Sequence, residues 1–232
     1  MDFQKVIEHI NIPGYVFLGL FFISMVAQLV FAFLEKEKYR VIEKPFCLFT
    51  LGLFAVCVLP THPLIYLGAF FGMIGDVLVI VKNKKYFNWG VLSFFFGHVL
   101  YVIEIVFFIL DAKLDWYYFI ILCGGFLLIY VLLIIPFRKC TKDIKEMLGM
   151  ALYYGFLFTI LPFMIVTYVR VGSFMHLGII GSVLFIISDL IILFTKYIKK
   201  FKRYDFYIML TYLLAQFLIV NSLLFSYIEL YL

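Results

Sequence analysis

The stretch PLIYLGAFFGMIGDVLVIV, residues 63–81, runs through nineteen residues with one charged side chain, Asp76. As a helix rising about 1.5 Å per residue it spans close to the ~30 Å hydrocarbon thickness of a bilayer. Residues 173–195, SFMHLGIIGSVLFIISDLIILFT, repeat the pattern with Asp189 as their one carboxylate. A carboxylate in hydrocarbon costs several kcal/mol unless it is paired or protonated, so two of them mark a working site.

The rest of the chain fits a membrane setting. Of 232 residues, 66% are hydrophobic and 14% charged, with a mean hydropathy of +1.12, against roughly 45–50% apolar residues in soluble domains. Further apolar runs at Pro13–Leu34, Pro45–Leu59, Phe87–Leu110, Trp116–Pro136, Met147–Val169 and Phe206–Tyr231 predict, with the two above, eight transmembrane helices in a single all-α integral membrane domain. Pro13, Pro45 and Pro63 suit first-turn positions, Pro60 and Pro136 suit helix ends, and Pro162 predicts a kink. The N-terminal residues 1–12 carry Asp2, Lys5 and Glu8 without a small-residue cleavage site, so no signal peptide is expected. Cys47, Cys57, Cys123 and Cys140 lack CxxC spacing, which argues against a disulfide framework or thiolate metal site.

The connections after the first, third, fifth and seventh predicted spans hold 16 of the 19 Lys and Arg residues. The positive-inside rule then places those loops in the cytoplasm and both termini outside. The net charge of +5 reads as topology and contact with anionic lipid, not as an affinity for nucleic acid. Short loops favour a bacterial plasma membrane. In this orientation Asp76, six residues before Lys82, and Asp189, seven before Lys196, share a depth roughly 9–11 Å inside the cytoplasmic ends.

Residues 68–76, GAFFGMIGD, and 181–189, GSVLFIISD, each set a glycine eight positions before the acid and a small residue just before it. Both units have the same predicted orientation and suggest a parallel four-plus-four repeat, with the acids facing each other across a central axis. Gly68, Gly72 and Gly75 form a small-residue stripe suited to close helix contact, and Asp76 falls on the bundle-facing side of its helix.

The groups that could join the acids are His98 and Tyr101 on the fourth span, Tyr153 and Tyr154 on the sixth, and Thr211, Tyr212 and Gln216 on the eighth. His98 would orient a substrate or relay a proton; Glu104, nearer the outer end, suits a structural or hydrated role. No Lys or Arg lies within the predicted spans, so two neighbouring carboxyls are expected to share one proton, which makes them a general acid and base. Lys44, Lys82 and Lys196, at the cytoplasmic ends, are candidates to meet a lipid phosphate. His9, His62 and His176 fall on the outer side without ligand spacing, so neither a metal nor another cofactor is expected.

Five segments, Glu43-Lys-Pro45, Gly75-Asp-Val-Leu78, Gly97-His-Val-Leu-Tyr101, Gly181 through Phe185 to Ser188-Asp-Leu190, and Thr211-Tyr-Leu-Leu-Ala-Gln216, occur in an order and spacing that resemble the YhhN-type lysoplasmalogenase family of eight-span membrane proteins. The resemblance implies hydrolysis of the vinyl ether bond of a lysophospholipid to a fatty aldehyde and a glycerophospho-headgroup. The acids suit that chemistry: a protonated carboxyl delivers a proton to the alkene carbon, and a neighbouring carboxylate stabilises the resulting cation and activates water. Parallel repeats and paired acids also suit a proton-coupled lipid transporter or flippase, and a non-catalytic lysolipid-binding protein is the third expectation.

Overall fold

A computed structural model describes residues 3–81, 84–111 and 153–232, together with scattered positions between 118 and 131. The described residues form helices α1 (Phe3–His9), α2 (Ile12–Phe33), α3 (Glu37–Val58), α4 (Pro63–Ile80), α5 (Lys84–Asp111), α6 (Ile160–Val171), α7 (Met175–Tyr197) and α8 (Tyr204–Tyr231). Seven segments among them, α2 to α5, Tyr153–Val171, α7 and α8, are long and apolar enough to cross a bilayer. The protein is an all-α integral membrane protein. The fifth predicted span, 116–136, with Cys123 and Pro136, lies essentially outside the described residues, as do Lys82, Cys140 and the start of the sixth.

Local chemistry explains most boundaries. The Asn11 side chain caps α2 by accepting the Gly14 N–H at 2.8 Å, and Pro13 sits in the first turn where its missing N–H costs nothing. Pro63 opens α4 in the same way. Residues 158–159 form a turn between the helical residues 153–157 and α6, three residues before Pro162, which cannot donate to the Phe158 carbonyl.

The second span departs from expectation. It begins at Glu37, not at Pro45, and Pro45 lies inside α3. A proline there forfeits one backbone hydrogen bond, but the turns before it are held by other means: Arg40 Nη1 bonds Asp205 Oδ2 at 2.8 Å, and Lys44 is tied to the helix opposite. The extra turns change Lys44 from a loop residue into a helix residue aimed at the bundle.

α8 is the central staff, the most buried span, in contact with α1, α2, α3, α4 and α7. Leu213, Ala215, Ile219, Leu223 and Ile228 carry its packing, and all are fully buried. Around it α4 packs on α5 and α7 on α8, so each acid-bearing helix lies against the helix that follows it. Ile23, Val26, Val169 and Ile180 project outward, an apolar surface that lipid accepts and water penalises. The glycine stripe divides its work. A Cβ on Gly68 would stand 2.4 Å from the Tyr101 ring and one on Gly75 2.9 Å from Phe94, so those two admit aromatic rings of α5, while Gly72 faces Leu48 of α3 and Tyr212 and Gln216 of α8.

Candidate active site

Asp76 is fully buried, and its two oxygens face different partners. Lys44 Nζ lies 2.9 Å from Oδ1, and the Tyr212 hydroxyl donates to Oδ2 at 3.3 Å. The ammonium approaches obliquely, so the Lys44 contact is an ion pair rather than an aligned hydrogen bond. The expectation that no cation reaches the acids therefore fails for Asp76. Lys44 is flexible and long enough to carry its charge from the helix end onto the buried carboxylate, while its own side chain keeps 21% exposure.

Asp189 is set differently. It is 5% exposed, the Tyr153 hydroxyl lies beside its carboxyl, and Oδ2 has no hydrogen-bond partner among the described residues. Tyr153 lies close enough to both carboxylates to feel each charge, and Lys44 is close enough to influence Asp189 as well as Asp76. One electrostatic unit thus joins α3, α4, α7 and the segment before α6. The acids are unequal: one is an ion pair, the other a carboxyl beside a phenol with an open oxygen.

The walls are aromatic. The Tyr212 ring stands edge-on between Phe94, with centroids 6.1 Å apart, and Phe185, at 5.5 Å. Phe185 also meets the His98 ring edge-on at 4.5 Å. His98 is buried, with Nδ1 2.6 Å from the Phe94 carbonyl. A carbonyl can only accept, so Nδ1 carries the proton and Nε2 is left as an acceptor, unpartnered among the described residues. Tyr101 donates to Gln216 Oε1 at 3.0 Å, and Gln216 in turn lies beside Gly72 and Tyr212.

Asp76, His98, Tyr101, Tyr153, Tyr212 and Gln216 are thus joined by hydrogen bonds or ring contacts, and Asp189 adjoins them beside the Tyr153 hydroxyl. Tyr154 is one step removed, packed edge-on to Tyr153 with centroids 5.0 Å apart. Thr211 is not part of the group. Its hydroxyl donates back to the Tyr207 carbonyl at 2.9 Å, because adjacent helix positions point about 100° apart and Tyr212 takes the inward direction. Among the lysines expected near a phosphate, Lys44 is on Asp76, Lys196 is exposed with its ammonium 5.2 Å from the Phe87 ring centroid, and Lys82 lies outside the described residues. Ser188 donates to the Ile208 carbonyl at 3.3 Å rather than facing an acid. Glu104 is spent at the far end of the bundle, 2.7 Å from His62 Nδ1, and the His62 ring lies tilted against Tyr227, with centroids 3.7 Å apart.

Phe94 and Phe185, which clamp Tyr212 and His98, were not among the expected site residues. Thirty phenylalanines in one chain offer no way to choose two.

The arrangement presents a paired carboxylate, a second carboxyl with an open oxygen, an acceptor imidazole nitrogen and three phenols inside apolar walls. It is equipped to move protons and to steady a transient cation. A family model described as the YhhN family matches residues 39–223, a range that holds each of the groups named in this site. No curated protein and no solved structure matches the chain.

Proposed function

The chain belongs to the YhhN family, and on that premise we propose that it is a membrane hydrolase that cleaves the vinyl ether bond of lysoplasmalogens at the Asp76–Asp189 site. The inequality of the two acids carries the reading. Lys44 beside Asp76 favours a carboxylate there, and Asp189, with an open oxygen, no cation bonded to it among the described residues and a phenol for its neighbour, suits a carboxyl that holds a proton.

The steps then close. Asp189 gives its proton to the alkene carbon remote from the ether oxygen, and the double-bond electrons form the new C–H bond, leaving an oxocarbenium ion at the carbon bonded to oxygen. The Asp76 carboxylate steadies that cation and takes a proton from water as the water oxygen adds to it. The hemiacetal collapses when Asp189 takes back the hydroxyl proton and Asp76 delivers its own to the departing glycerol oxygen. One water is consumed, one aldehyde and one glycerophospho-headgroup are released, and both acids return to their starting states. His98, through Nε2, and Tyr153 hold the water and the ether oxygen in line. The basic loops face the cytoplasm in this proposal, which puts the headgroup on that side.

The test is aldehyde release by the purified full chain from a vinyl ether lysophospholipid, with the acyl analogue as control. Aldehyde from the first and no fatty acid from the second is expected. Asp76→Asn and Asp189→Asn should each lower the rate by at least about 10³-fold, the scale on which a positioned acid or base acts, while remaining folded. Movement of lipid across vesicles without aldehyde would replace the hydrolase with a transporter.

A further inference from the structure

A second feature lies beside the acids, at the end of the bundle that carries the basic loops. A half-open cavity of about 640 Å³ is enclosed by the C-terminal ends of α2 and α4, the start of α3 and the start of α8. Three observations mark it as built for a ligand. Its wall includes Gln28, which is fully buried although neither its Oε1 nor its Nε2 has a partner among the described residues. A buried primary amide left in that state costs about 1–3 kcal/mol and fits no packing purpose, since a leucine would fill the same volume. The lining is of mixed sign, with Arg40, Lys44, Lys200 and Arg203 on the cationic side and Glu35, Glu37 and Asp205 on the acidic side. Arg203 and Glu35 sit in the left-handed region, at φ 60° and 56°, a conformation that side chains other than glycine adopt at some cost. The third observation is continuity. Lys44 belongs to the cavity wall and to the Asp76 ion pair at once.

We propose that this cavity, built around Gln28, Lys200 and Arg203, is the binding site for the zwitterionic headgroup of a lysophospholipid, a phosphodiester bearing an amine. Arg40 is paired with Asp205 and Lys44 with Asp76, whereas Arg203 lies over the Phe33 ring, 3.6 Å from its centroid, and Lys200 over Tyr204 at 5.6 Å, contacts that hold the cations but leave their N–H groups to donate. Lys200 and Arg203 therefore take the phosphate, Glu35 takes the amine, and the Gln28 amide bridges to the glycerol hydroxyl and phosphate oxygens. The volume falls in the range of small-molecule sites and is ample for a headgroup with its water. The assignment rests on the lysophospholipid reading of the neighbouring acids and replaces Lys196 with groups that line one enclosed space.

The decisive probe is a lysophosphoethanolamine whose chain is joined by a saturated ether, which offers no double bond to hydrolyse. Its binding to the purified full chain is measured for wild type, Gln28→Leu and Arg203→Ala, with free glycerophosphoethanolamine and inorganic phosphate as competitors. Each substitution is expected to weaken binding at least tenfold and to raise KM for the vinyl ether substrate by a similar factor with kcat within twofold. Gln28→Leu should do so while its thermal midpoint stays level or rises, which a merely structural role for Gln28 would not produce. Glycerophosphoethanolamine should displace the probe at concentrations where inorganic phosphate does not; equal displacement by phosphate would overturn the headgroup in favour of a simple anion site. Unchanged probe binding and KM in both variants would overturn the site while leaving the hydrolase standing. Probe binding lost in the variants without aldehyde release by wild type would do the reverse.

Discussion

Replacing Lys44 with methionine keeps most of the length of the side chain and removes its charge, and the structure makes the consequence asymmetric. Asp76 has no exposure and loses its cation, whereas Lys44 in an Asp76→Asn protein keeps 21% exposure and borders a half-open polar cavity. At 2.9 Å the Coulomb attraction is about 6 kcal/mol for an effective dielectric constant of 20, a ceiling that desolvation reduces. Stranding one partner of a buried pair costs about 3–5 kcal/mol. For a chain of this length each kcal/mol moves the thermal midpoint by about 2–4 °C, so Lys44→Met should lower it by about 6–20 °C. Asp76→Asn should lower it by less than about 4 °C, because the freed ammonium can hydrate and the introduced amide oxygen can still accept from Tyr212. The double variant removes both charges and should lie within a few degrees of Asp76→Asn. Midpoints of the four proteins in one detergent, followed by circular dichroism and by loss of the monodisperse peak, complete the cycle. Equal losses in the two single variants that add in the double variant would refute the ion pair as the device holding α3 against α4.

Two further outcomes follow from other contacts. Gly68→Ala places a methyl 2.4 Å from the Tyr101 ring, so Tyr101 must leave Gln216; about 1–3 kcal/mol of stability and most of the turnover should be lost, and a Tyr101→Ala change in the same protein should restore part of the stability. At the other end of the bundle, His62→Ala strands the buried Glu104 and should destabilise by about 3 kcal/mol, whereas His62→Ala with Glu104→Gln should be milder and should turn over substrate at the wild-type rate per folded molecule.

How much was legible in the sequence differs by element. Spans one, three, four, seven and eight were readable to within three residues because a bilayer imposes a length and an apolar content on any helix that crosses it. The burial of Asp76 was legible as well, since three glycines at helical spacing name the face that packs. The N-terminal turns of α3 were not. EKYRVIEK, residues 37–44, carries five charges in eight residues and reads as a loop, and only Asp205 on α8 and Asp76 on α4 explain why it is helix. Thr211 and Tyr212 are adjacent, and no local pattern says which one faces inward. Packing decided for the tyrosine, because Phe94 and Phe185 leave a slot for a flat ring between them.

The sequence by itself determined that this is an all-α membrane protein with two acids at costly positions, because hydrophobic length and the penalty for a charge in hydrocarbon are properties of a segment and need no partner. The inequality of the two acids was decided only by the tertiary structure. Lys44 lies 32 residues from Asp76 and Tyr153 lies 36 from Asp189 along the chain, and which groups meet a carboxylate across helix interfaces depends on rotation and depth that no single helix specifies. The same holds for the orphaned amide of Gln28. Its cost arises from neighbours contributed by three other helices, and those neighbours exist only once the bundle has closed.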